Sequence, residues 1–293
     1  MTGIEVKPFS RIMWRSRAIE EKWEPLRKRI YDCTAFAEYE MVRRGYRQCD
    51  VYDFTPDNIM QRLKKPALDG LVFLPMLISE SYNGYGHRHY LTDRFREGTF
   101  IYGVVSTTLD SAIKFHDAGV TDTKQRVRQW SDRDMNPKGI DHNVTGALLG
   151  YPACDRIFFN ETWLKGGCLD PMYEMARNTE GNEMKVNVLT DERIVKVSGN
   201  PMLNRLARYW GFNLVPFFPH SFDCKYAADF ADQWFTLMRE RDAEATDACL
   251  DALSMPMVWS MTNAVTVLEH PLFVGSANGY YRKEKVTVEW TPQ

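Results

Sequence analysis

The chain has 293 residues, 44% of them hydrophobic and 13% aromatic, with charges dispersed along its length; this excludes a disordered or low-complexity chain and allows a large core without staples. Lys plus Arg (37) nearly balances Asp plus Glu (39), so the net charge of −2 exerts no global pull toward nucleic acid or anionic membrane, and any basic surface must be local. The six Cys are widely spaced with no secretory signal before them, and no apolar run approaches the roughly 18 residues of a membrane span, so a soluble, cytoplasmic protein with reduced thiols is expected.

Basic residues gather early, at Arg11, Arg15, Arg17, Lys22, Arg27, Lys28 and Arg29 and again at Arg43, Arg44 and Arg47; such a cluster suits phosphates or a solvated helix face. From Pro25 to Gly45 the apolar positions Leu26, Ile30, Cys33, Phe36, Ala37 and Met41 recur at helical spacing. Thr55-Pro56 opens a second helix that Pro66 ends, and Leu71 to Leu74 reads as a short buried strand. Ser79 to Arg96 has loop composition and carries Tyr85, His87, Arg88, His89 and Arg94, which suits a substrate-facing loop or a long connection whose aromatics cover the core edge. Phe100 to Ser106 is a predicted strand and Thr108 to Ala118 a helix closed by Gly119, while polar residues Thr121 to Gly139 mark the softest boundary in a single domain spanning 1–293.

Asn143 to Leu149 predicts a helix capped by Gly150, Pro152 forces a break, and a second helix runs from Ala153 to Leu164. Asp170-Pro171 opens a short helix, Lys185 to Val197 alternates as two short strands, and Asn200-Pro201 starts a helix that Gly211 stops. Phe212 to Phe217 reads as a strand feeding into Pro219-His220, and Ser221 to Arg241 as a long amphipathic helix, followed by an Ala-rich helix to Leu253. From Met257 onward the pattern is strands, with Gly275 to Gly279 as a turn. Without an internal repeat or regular βαβ alternation, the fold class is α+β: mostly helical, with short strands and a C-terminal β-rich segment.

Two segments concentrate reactive side chains, Asp141 to Pro171 and Pro216 to Cys224, and chemistry is expected where they meet. Cys154 falls in the first turn of a helix, where unpaired N–H groups favour a thiolate, and Arg156 lies beside it; a nucleophile or metal ligand follows, or else a buried core cysteine among Tyr151, Ile157 and Phe158. His220 and Cys224 are four apart and share a face if the helix already includes His220, so that Cys154 or Cys168 would complete a His/Cys site for zinc. Without a metal, the same atoms suit acid/base and nucleophilic work, His220 activating Cys154 while Asp223 or Asp155 orients the imidazole. His142 with Asp141, and His87 with His89, are further acid/base candidates. No GxGxxG, Walker, HExxH or GxSxG signature is present, so no nucleotide cofactor is implied.

The run Leu148 to Cys154, LLGYPAC, with Val215 to Cys224, VPFFPHSFDC, resembles a group of uncharacterised proteins in which an LGYP-x-C turn is followed by a VPH-x-P-C-S-x-x-C turn. Cys154 and Cys224 match that pattern, whereas Phe217 and His220 stand where the group has its His and first Cys. More loosely the chain is similar to phage amino acid:DNA transferases, the putrescinyl or glutamyl thymine pyrophosphorylases. That resemblance implies DNA and a small amine or amino acid as partners. Cys154, His220, Asp223 and Asp155 are the candidate reacting groups for that chemistry, with Arg88, Arg94, Arg156, His87, His89, Tyr85 and His142 around the substrate; a non-catalytic binding or assembly protein, or a His/Cys zinc-dependent small-molecule hydrolase, is the alternative.

Overall fold

The computed structural model describes residues 11–54, 70–82, 96–119, 141–165, 171–262, 265–278 and 285–293. In chain order the elements are β1 (Arg11–Trp14), α1 (Arg17–Arg43), β2 (Cys49–Phe54), β3 (Val72–Tyr82), β4 (Arg96–Ser106), α2 (Leu109–Gly119), α3 (His142–Leu148), α4 (Ala153–Phe159), α5 (Met172–Asn178), β5 (Glu183–Asn187) and β6 (Glu192–Gly199), then α6 (Lys225–Arg241), α7 (Ala243–Leu253), β7 (Met257–Thr262), β8 (Val265–Glu269), β9 (Phe273–Asn278) and β10 (Lys285–Pro292). The fold is α+β. The helix expected after Thr55, the 121–139 boundary, Cys168, and the loop residues Tyr85, His87, Arg88, His89 and Arg94 lie outside the described residues.

Two compact units divide the chain, one made of Met1–Cys33, Gly84–Asp93 and Cys168–Gln293, the other of Thr34–Asn83 and Arg94–Gly167. Helix α1 begins two turns before the apolar pattern suggests, because Ser16 caps it through its hydroxyl on the Ile19 N–H at 3.2 Å. Pro25 is therefore inside the helix rather than at its start. The helix ends as read, at Gly45 with φ +75°.

The first unit is built on a seven-stranded sheet in the order β1-β9-β8-β7-β10-β6-β5. The chain's last strand, β10, lies between β7 (antiparallel) and β6 (parallel). Alternation buries one face: Trp259 lies opposite Val288, and Val288 opposite Val195, all fully buried. Gly275, expected in a turn, sits inside β9 with Ile12 on one side and Leu268 on the other, so ladder bonds on both edges override its turn preference.

The stretch 200–217 departs most from expectation. Instead of one helix, Pro201–Leu203 and Leu206–Trp210 form two 3₁₀ turns, because the buried Asn204 side chain accepts from the Leu206 N–H (3.0 Å) and donates to the Leu253 carbonyl (2.7 Å), offering the backbone an alternative to helix. Residues 212–217 have no strand ladder. A buried guanidinium does that work: Arg205 donates to the Val215 carbonyl and, at 2.9 Å, to the Asn213 side-chain oxygen.

The second unit holds a three-stranded antiparallel sheet, β2-β4-β3. Strand β3 reaches Tyr82 and β4 starts at Arg96, so both extend into the segment expected as loop. Its core gathers Cys49, Val104, Ala112, Phe115 and Leu148. Gly103 on β4 lies under the Phe73 ring, 2.5 Å from where a Cβ would sit.

Candidate functional site

Cys154 is positioned by the core of the second unit. Leu148 is fully packed there, which fixes the end of α3, and the chain then reverses at Gly150 with φ +77°. The Gly150 N–H meets the Ala147 carbonyl and the Tyr151 N–H the Gly146 carbonyl, a helix stop that satisfies the last carbonyls. Pro152 then opens α4 with Cys154 as its second residue. Helices α3 and α4 form a hairpin tied at its far end by Asn160 donating to Asn143 at 2.8 Å and by the His142 ring against Phe159 at 5.4 Å. After Phe159 the α-helix widens into one π turn, Asn160–Lys165, where a continuous α-helix to Leu164 is expected.

Arg156 has a structural task at this turn. Its stem crosses Gly146, where a Cβ would come within 2.8 Å of the Arg156 Cδ, and its Nη1 donates to the Tyr151 carbonyl at 2.8 Å. This fastens the start of α4 to the turn before it.

His220 and Cys224 belong to the first unit. His220 is not on a helix: α6 begins at Lys225, and residues 219–224 form an irregular loop. Distant side chains pin this loop. The Phe222 N–H donates to the Thr179 hydroxyl at 3.0 Å, the Phe222 carbonyl accepts from Asn200 N–H at 2.9 Å, and the His220 carbonyl accepts from the Asn178 side chain at 3.0 Å. Gly199 makes room for it, since a Cβ there would lie 2.6 Å from the Phe222 Cβ. The Phe222 ring meets Trp290 edge-on at 5.1 Å. Cys224 caps the 17-residue α6, its sulfur accepting the Ala227 N–H at 3.4 Å, so the helix end that favours a thiolate serves Cys224 over more turns than the seven-residue α4 does Cys154.

In the second unit Asp155 (2% exposed) is buried next in sequence to the partly exposed Cys154, and in the first unit Cys224 (4%) is buried at the end of the loop that carries the partly exposed His220. The Asp223 carboxylate accepts the Glu180 N–H at 2.9 Å and holds that loop to the end of α5.

The remaining described cysteines are core residues. Burial pushes the Cys49 thiol up to about 11 and the Cys249 thiol up to about 12, and it raises that of Cys33. None of the described cysteines forms a disulfide. The anchors Asn178, Thr179 and Gly199 carry no local signature and escape sequence reasoning, whereas Asn200 is legible only as the cap of the turn that follows it. Among the described residues no helix is long and apolar enough to cross a membrane. No family model, curated protein or solved structure matches the chain.

Proposed function

We propose that the protein is a group-transfer enzyme that activates a small protic nucleophile beside Cys154 and Asp155 and delivers it to a modified nucleic-acid base. One observation, local to α4, supports the reading: a partly exposed thiol in the first helical turn, where unpaired N–H groups favour a thiolate, is followed at once by a buried carboxylate. Such a carboxylate suits taking a proton from an incoming amine.

The substrate comes from the likeness to amino acid:DNA transferases. The amine nitrogen of an amino acid forms a bond to the methylene carbon of a pyrophosphorylated 5-hydroxymethyluracil in DNA. The carbon–oxygen bond breaks, pyrophosphate leaves with the electron pair, and the amine proton passes to Asp155. The test is mass spectrometry of nucleosides from such DNA incubated with the full chain and candidate amines. An amine adduct is expected with the unaltered chain, reduced by about 10²-fold or more in Cys154→Ala and Asp155→Asn. Equal yields from all three, or none from any, would overturn the reading.

The burial of Asp155 favours a second reading, a non-catalytic binding or assembly protein in which the Cys and His residues are packing residues. DNA affinity separates the two: the transferase requires binding that weakens steeply with salt, and the structural reading requires none.

A further inference from the structure

We infer that the free edge of β5 pairs with the same strand of a second copy of this chain, joining two seven-stranded sheets into one across a two-fold axis at Met184. Strand β5 ends its sheet, and among the described residues no strand lies on its other side. All five of its residues are exposed, Met184 and Val186 among them, and the turn that follows leaves Val188 and Leu189 almost wholly in water. Unpaired N–H and C=O groups along such an edge are a template for another strand, and charge is the usual means of blunting it. Here the two charges of β5, Glu183 and Lys185, are of opposite sign and lie two apart on one face.

Symmetry and charge select the register. In antiparallel pairing about a two-fold axis each side chain faces a partner on its own side of the sheet, so the axis passes through a residue rather than between two. An axis at Lys185 sets Lys185 against Lys185, and one at Glu183 sets Glu183 against Glu183, each a repulsion at the centre of the contact. An axis at Val186 or beyond carries Glu183 past the end of the facing strand. The axis at Met184 gives two ion pairs, with Glu183 of each copy opposite Lys185 of the other and Met184 opposite Met184.

The sheet continues this pattern on both faces. On the charged face Lys196 lies between Glu183 and Glu289, its Nζ 3.5 Å from the Glu289 carboxylate, so the joined sheet sets Glu289, Lys196, Glu183 and Lys185 of the second copy side by side in alternating sign. On the other face Met184 stands opposite the fully buried Val195, next to Val288 and Trp259, and the Tyr173 hydroxyl meets its sulfur at 3.9 Å. Met184 of the second copy lengthens that apolar row by one residue. A strand this short buries little surface, so the dimer depends on concentration.

The experiment is sedimentation equilibrium of the full chain over a range of concentrations, and a monomer–dimer equilibrium is expected. Glu183→Lys and Lys185→Glu should each weaken dimerisation by about 10-fold or more, because each turns both attractive pairs into repulsive ones. An equimolar mixture of the two variants should recover it, since every Lys then faces a Glu. Met184→Cys should give a disulfide-linked dimer through residue 184 under mild oxidation, read by peptide mass spectrometry, because directly opposed residues have Cα atoms about 4.5 to 5.5 Å apart, within disulfide reach.

A monomeric unaltered chain would overturn the inference and leave the edge to a different partner. So would a dimer that both charge variants form as readily, since its contact lies elsewhere, or a mixture of folded variants that fails to recover. If either charge variant does not fold, the Met184→Cys chain decides, and absence of a cross-link through residue 184 overturns the inference.

Discussion

His270 makes the stability of the first unit depend on pH in a way that can be worked out in advance. Its ring is 1% exposed and stacks on Phe273 at 4.2 Å. Nδ1 accepts the Leu272 N–H at 3.0 Å, so the proton must sit on Nε2, which donates to the Ala252 carbonyl at 3.0 Å. Protonating Nδ1 would set two N–H groups against each other. Burial, chiefly, and the nearby Arg15 charge push the pKa down from 6.5 to about 4. The unfolded chain therefore binds a proton in this window that the native chain refuses. The stabilisation is fully present above the unfolded value and is lost as pH falls from about 6.5 toward about 4.

Integrated over that interval the loss is about 3 kcal/mol, of which about 2 kcal/mol is gone by about pH 5. Urea unfolding at about pH 7.5 and about pH 5 measures it. His270→Gln should be less stable at neutral pH, since nothing then accepts the Leu272 N–H, but its pH slope should be smaller by about 2 kcal/mol across the window. Equal slopes for the two chains would refute the reasoning. Asp242 does not confuse the result: hydrogen bonds from Arg29 hold its carboxyl below the ordinary range, so its own contribution is lost only as pH falls through lower values.

Thr179→Val removes the hydroxyl that accepts the Phe222 N–H and donates to the Met175 carbonyl, so we expect a loss of about 1 to 3 kcal/mol in chemical denaturation; a neutral result would mean that the 220–224 loop is not held there. Gly199→Ala should cost about 1 to 3 kcal/mol, because the added Cβ meets the Phe222 Cβ at 2.6 Å and its carbonyl oxygen at 2.9 Å, and the loop must shift. Asp242→Ala should lose about 1 kcal/mol as an N-cap alone, since the carboxylate accepts the Ala245 N–H at 3.1 Å at the start of α7; a chain with an unchanged melting temperature would contradict the capping role. Iodoacetamide near neutral pH should modify Cys154 before Cys33, Cys49 or Cys249, as read by peptide mass spectrometry, because the other three are fully buried with raised thiol pKa values. Modification of Cys249 first would contradict the packing of α7.

Local signals were readable wherever a single residue dictates the backbone. Gly150 and Pro152 mark the reversal between α3 and α4, and Cys154 stands in the first turn after it, as their order in the chain requires. The two short strands around residue 190 and the glycine stop at Gly211, with φ +85°, follow from the same kind of rule. The loop bearing His220 did not yield to such rules. It reads as the start of a helix because Phe222, Tyr226, Phe230 and Trp234 keep helical spacing, yet Phe222 turns to Trp290 and its backbone is bonded to Thr179 and Asn200. Those partners are far away in sequence, and no window of neighbouring residues contains them. Asn204 and Arg205 hid the irregular backbone of 200–217 in the same manner, through side-chain bonds that replace regular ladders. Asp155 was legible as a carboxylate beside Cys154, but its burial, which makes it more than a surface charge, is set by tertiary packing.

The most direct test of the central claim is nucleoside mass spectrometry of DNA carrying pyrophosphorylated 5-hydroxymethyluracil after incubation with a small amine and the full chain, set beside Asp155→Asn and Cys249→Ala. An amine adduct is predicted for the unaltered protein and for Cys249→Ala, whose sulfur is buried in the core, with about 10²-fold less from Asp155→Asn. An unaltered chain yielding no more adduct than Asp155→Asn would contradict the account.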